Sequence, residues 1–109
     1  EGQAKWWTTE DPTVSLLPMQ ASVARAENVA VEDISVPAQF IVHPEDRVVK
    51  ASVTEGIASR WGKNSGAKAD LIEIEQSDDA YNHVIAGDVL SPSTTEPLAK
   101  TIVEWVKGL

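Results

Sequence analysis

The sequence contains no cysteine. Disulfides, thiolate nucleophiles and cysteine-based metal sites are therefore excluded within it, and the absence fits a reducing, cytoplasmic setting. Basic charge is also scarce. Nine Lys and Arg stand against 17 Asp and Glu, a net charge of -8. Nucleic-acid phosphates and anionic membrane surfaces need the opposite sign, so neither is an expected partner. No run of about 18 apolar residues occurs, so no transmembrane helix is expected. Signal-peptide patterning and an initiating methionine are missing from the start, and the chain reads as a processed or excised piece. What is present is ordinary globular material. The 109 residues are 42% hydrophobic and 24% charged, enough for one small domain with a core.

Along the chain, helical and strand patterns alternate, without repeats or low-complexity segments. Residues Glu1 to Pro12 are polar and carry Trp6 and Trp7, a pair suited either to docking on a partner or to capping the chain's own core. Asp11 and Pro12 read as a helix start. Apolar residues from Val14 to Val29 follow loose helical spacing, with Pro18 kinking the helix or confining it to about Met19 to Asn28. Ile34 to Val42 reads as a strand with Ala38 to Val42 as its body. The unbroken run Phe40, Ile41, Val42 predicts cover on both faces, as in a parallel sheet.

A polar turn from His43 to Arg47 follows. Val48 to Trp61 then predicts a helix, with Ser52 or Thr54 as early caps. Gly56 either weakens that helix or marks close packing. Gly62 to Ala67 is a loop, and Asp70 to Glu75 a second strand. A polar loop holds Asp78, Asp79 and His83. Thr94 or Thr95 caps the last helix, with Pro97 in its first turn. The fold class is therefore α/β, order α-β-α-β-α. Its strands should be parallel with a right-handed crossover, and its helices should pack on the sheet.

In such a sheet, functional groups gather in loops at the carboxyl ends of the strands. Asp46 follows the first strand and His83 the second, so adjacent parallel strands bring both to one edge. A carboxylate beside an imidazole fixes its tautomer and stabilises its charged form, as acyl transfer requires. Other readings stay open. Asp46 can cap the following turn, Glu45 is a competing acid, and His83 can be an ordinary loop histidine. His43, at the strand end, reads as structural. Asp78, Asp79 and Asp88 read as a solvated acidic rim, with Asp88 alternatively supporting the His83 loop. The histidines and acids lack a metal-ligand spacing, and no cofactor is expected. Trp61 and Trp105 read as core anchors.

These motifs resemble the carboxyl-terminal part of α/β-hydrolases, over about Ile34 to Leu109. Ile34 to Val42 is similar to the penultimate strand of that family. His43 to Val49 resembles its acid turn, Gly-x-x-Asp-x-x-Val. Asn82 to Asp88 resembles the His-Val-[Ile/Leu]-x-x-Asp loop of monoacylglycerol lipases and small carboxylesterases. Ile102 to Val106 resembles the closing helix. The resemblance implies a partial α/β-hydrolase fold in which Asp46 and His83 are the acid and base of a Ser-His-Asp triad acting on a carboxylic ester.

Two departures stand out. His43 occupies the usual glycine position, and no Gly-x-Ser-x-Gly is present. The nearest match, Gly62 to Gly66, sets Ser65 one position off in a loop. The nucleophile is thus expected outside these residues, and the isolated piece is expected to be inactive. Residues 1–33 would then be a cap or connector and 34–109 the hydrolase portion. The exposed edge of a two-stranded sheet predicts self-association. The alternative is a non-enzymatic acidic α/β module that binds a partner protein through its tryptophan-bearing start.

Overall fold

The computed structural model describes residue 10 and residues 12–109. The chain forms two compact units, Glu1–Ala30 and Val31–Leu109. The expected cap at Asp11 and the pair Trp6 and Trp7 lie outside the described residues.

In the first unit, a 3-10 turn at Thr13–Ser15 runs into helix α1, Leu16–Glu27. Pro18 neither kinks nor delays it. It is the third helical residue, where a backbone N–H has no intrahelical acceptor, so the missing donor costs nothing. The helix therefore starts ahead of the expected Met19. Asn28 ends it by turning its amide back onto the Ala24 carbonyl at 2.7 Å.

The second unit is a mixed α/β structure. A 3-10 turn, Val31–Asp33, leads to β1, Ala38–Val42. Helix α2, Ala51–Arg60, connects β1 to β2, Ala69–Glu73, and α3, Pro92–Lys107, closes the chain. The strands pair in parallel from Ala38 opposite Ala69 to Val42 opposite Glu73. One further bond at each end extends the ladder, from Ala38 N–H to Lys68 C=O and from Ile74 N–H to Val42 C=O. This alternation aims the backbone groups of Ala38, Phe40 and Val42 at β2 and those of Gln39 and Ile41 away from it.

Helix α2 packs against both strands, burying Ala51 and Ala58. Gly56 marks no close contact, because a Cβ there would meet nothing within 4 Å. Trp61 joins the helix end to the strand entry. Its ring stands edge-on to Phe40 at 5.4 Å, and its Nε1–H donates to the Val36 carbonyl at 2.9 Å. The anchor is half-buried, as is Trp105, rather than a core centre.

Other elements also differ from the sequence reading, β2 among them, which runs from Ala69 to Glu73 rather than from Asp70 to Glu75. Residues 34–37 are not strand, because Ile34 and Val36 lend their carbonyls to Ser65 and Trp61 rather than to a ladder. Helix α2 begins at Ala51, with Lys50 in the cap position and no side-chain cap from Ser52 or Thr54, because the acid turn occupies the preceding residues. Helix α3 makes no packing with either strand comparable to that of α2. Two strands about 4.8 Å apart offer a strip no wider than one helix of ~10 Å, and α2 takes it on its face. The expectation that the helices pack on the sheet thus holds for α2 and not for α3. Among the described residues, no helix is long and apolar enough to cross a membrane.

Candidate functional site

The site begins where β1 ends. His43 is buried, and its Nδ1 accepts the Glu45 N–H at 3.1 Å. Its carbonyl accepts the Asp46 N–H at 3.1 Å. The ring thus ties down its own turn, a structural role that delivers Asp46 at a fixed angle.

Asp46 uses its two oxygens differently. Oδ1 accepts the Val48 and Val49 N–H groups at 2.7 and 2.9 Å, holding the turn. Oδ2 lies 3.0 Å from His83 Nδ1. Capping and pairing, alternatives in the sequence, coexist on one carboxylate. Its side chain is only 9% exposed, whereas that of His83 is 40% exposed. Burial pushes the Asp46 carboxyl up, but the His83 hydrogen bond and the two backbone N–H groups outweigh it and hold the acid below its usual range.

His83 is carried by a loop stitched to the acid turn. Arg47 N–H donates to the Tyr81 carbonyl at 3.0 Å. Asn82 adopts a positive φ of 54°, tolerable for Asn, which turns the chain into His83. The acids before it, exposed Asp78 and half-buried Asp79, do more than form a solvated rim. Asp79 Oδ2 accepts both the His83 and Val84 N–H groups at 3.0 Å. Asp78 accepts the Ser93 N–H and hydroxyl at 2.8 and 2.7 Å. These bonds lower both carboxyls from their usual values. Asp88 is exposed and makes no hydrogen bond among the described residues, so it does not support the loop. The signal for Asp79 was its place four residues before His83, within reach of two loop N–H groups.

A cleft of about 190 Å³ opens at the pair, with Ile41, Val49, Ala51 and Ile85 among its apolar walls. A carboxylate only accepts, so a neutral His83 ring donates its Nδ1–H to Asp46 and keeps a lone pair on Nε2. Among the described residues, Nε2 has no hydrogen-bond partner. Ser65 does not line the cleft, and its hydroxyl donates to the Ile34 carbonyl. Nor do any three histidine or carboxylate groups gather as a metal site among the described residues.

Acid should loosen this arrangement. Because the Asp46 pKa is lowered in the fold, its stabilisation is complete above the unfolded value of ~3.9 and is lost as pH falls through the folded value. Thermal melts are expected to show Asp46→Asn less stable than wild type at pH 7 and the gap closing below about pH 4. A gap that is constant down to pH 2.5 would contradict the pairing.

Comparison with protein-family models, curated proteins and solved structures finds no match to this chain.

Proposed function

We propose that Asp46 and His83 are the acid and base of a Ser-His-Asp triad in a carboxylic ester hydrolase of the α/β-hydrolase type. The observation that carries this reading is the 3.0 Å contact between Asp46 Oδ2 and His83 Nδ1. It joins two loops at the carboxyl ends of adjacent parallel strands, and both residues line a cleft with apolar walls. Motif order supports it as well, acid before histidine.

In this reading Nε2 of His83 takes the proton of a serine hydroxyl as the oxygen attacks the ester carbonyl. It then gives that proton to the leaving alcohol, and water reverses the sequence on the acyl-enzyme. Asp46 stays ionised throughout and stabilises the imidazolium. The serine and the oxyanion-binding groups belong to polypeptide outside these 109 residues, which hold no Gly-x-Ser-x-Gly. The polypeptide expressed from the full reading frame is expected to hydrolyse p-nitrophenyl esters of short or medium acyl chains, and the 109-residue chain alone is not. Serine-inhibitor-sensitive hydrolysis by the short chain would refute the division.

The same reading leaves β1 with an unpaired edge, where Gln39 and Ile41 offer N–H and C=O groups. The isolated chain is expected to self-associate through it. Sedimentation velocity should show a monomer–dimer equilibrium across a concentration series, and a monomer throughout would contradict this.

A further inference from the structure

From His83 to Gly87 the chain forms neither helix nor strand, yet side chains beyond the segment take up its backbone polar groups in turn. Asp79 accepts the N–H groups of His83 and Val84. The Val84 carbonyl accepts the Ser91 hydroxyl. The Ile85 carbonyl accepts the Thr94 hydroxyl at 2.6 Å. Gly87 N–H donates to Thr95 Oγ1 at 2.8 Å, while that hydroxyl donates to the Ser91 carbonyl at 2.9 Å. Ser77 links the two sides of the loop. Its hydroxyl lies 3.2 Å from that of Ser91 and accepts the Asp79 N–H at 3.1 Å.

A backbone without regular structure needs partners for every buried polar group, and water supplies them at exposed loops. Here they are supplied by fixed side chains, and Ser91 is wholly buried. More telling is what Ser91 leaves undone. It occupies the N-cap of α3, where a serine ordinarily turns its hydroxyl onto its own helix, and it makes no such bond. Thr94 and Thr95, the expected caps, also reach backward to the loop. Helix α3 is capped instead by Asp78, which accepts the Ser93 N–H, and this leaves the Ser91, Thr94 and Thr95 hydroxyls for the backbone that carries His83.

We propose that Asp79, Ser91, Thr94 and Thr95 are positioning residues that hold the His83 imidazole against Asp46. The proposal rests on the reading of His83 as the base. A misplacement of ~1 Å at a reacting group costs about 100-fold in rate, so an irregular loop bearing the base needs such restraint.

Thr94→Val/Thr95→Val keeps side-chain shape and removes both hydroxyls. In nitrogen-edited NMR of the 109-residue chain, the wild type is expected to show a slowly exchanging proton on His83 Nδ1. In the double variant that proton should exchange about tenfold faster or vanish, the factor that attends ~1.4 kcal/mol of lost hydrogen bonding. Thr94→Ser/Thr95→Ser should restore it. Thr101→Val, which removes a hydroxyl bonded to the Pro97 carbonyl on the same helix, should leave it unchanged. A folded Val/Val variant with the wild-type signal overturns the proposal. If that variant does not fold, Thr95→Val alone is expected to shift the signal in the same direction, and an unchanged signal there overturns it too. A wild-type chain lacking the Nδ1 proton overturns this proposal and the hydrolase reading together. A hydroxyl-dependent Nδ1 proton, together with no esterase activity in the polypeptide from the full reading frame, supports the positioning and overturns the hydrolase reading alone.

Discussion

Asp46→Asn, made in the polypeptide from the full reading frame, is expected to lower kcat for ester hydrolysis about 10,000-fold with little change in KM. The size follows from tautomer chemistry. The carboxylate can only accept, so it fixes the proton on Nδ1 and leaves Nε2 basic. An amide can instead donate to Nδ1, which places the ring proton on Nε2 and leaves no base facing the serine. Oδ1 keeps its place, so the bonds to the Val48 and Val49 N–H groups survive and the turn stays folded. His83→Ala removes the base itself and is expected to cost about a million-fold, with the double variant no worse, since the two residues act as one unit. Steady-state kinetics on p-nitrophenyl esters checks all three. A mild effect of Asp46→Asn beside a severe one of His83→Ala would mean that the 3.0 Å contact is not used in the reaction.

The largest effect on stability is expected at Gly62. Its φ of +64° is costly for any residue with a Cβ, by roughly 1–2 kcal/mol. The space is closed as well. A Cβ there would lie 2.6 Å from both the carbonyl oxygen and the Cβ of Ala67. Neither atom is the tip of a flexible side chain, so backbone must move, at about another 1–3 kcal/mol. The loop has little freedom to do so. Gly62 N–H is bonded to the Val31 carbonyl at 2.9 Å, and Asn64 N–H to the Glu32 carbonyl at 2.8 Å. Arg60 and Glu32 pair alongside at 2.6 Å.

Gly66 is the internal control. Its φ is +80°, but a Cβ there would meet nothing within 4 Å. Gly66→Ala should therefore cost only the conformational part, about 1 kcal/mol, against about 3 for Gly62→Ala. In a domain whose total stability is ~5–15 kcal/mol, the second loss is a large share. Urea denaturation of the two variants measures the difference, and equal losses would contradict the packing described at Ala67.

The parallel sheet and the meeting of Asp46 with His83 were legible in the sequence for a common reason. Phe40 to Val42 and Leu71 to Ile74 are dense apolar runs, and parallel pairing forces their carboxyl-end loops together wherever the loops go in detail. Asp46 and His83 needed only that edge. The start of α1 was misread because Pro18 looks like a breaker, although a proline in the first turn breaks nothing. Asp78 and Asp79 looked like solvated charge because sequence shows a carboxylate but not the N–H groups aimed at it. Thr94 and Thr95 read as caps for the same reason. A hydroxyl near a helix start has two directions to point, and only tertiary structure decides between its own helix and a neighbouring loop. Pro97 lies inside α3 rather than in its first turn, because the helix starts at Pro92. The position of α3 was out of reach too. Its apolar face at Leu98, Ile102 and Val106 has helical period, yet only Leu98 is buried.

Covalent labelling reveals whether His83 serves a serine outside these residues. A fluorophosphonate should modify one serine of the polypeptide from the full reading frame, set in a Gly-x-Ser-x-Gly sequence beyond residues 1–109. Labelling should be abolished in His83→Ala. A label on Ser65 or any other of the serines in residues 1–109, or labelling that persists without His83, would rule out this role for His83.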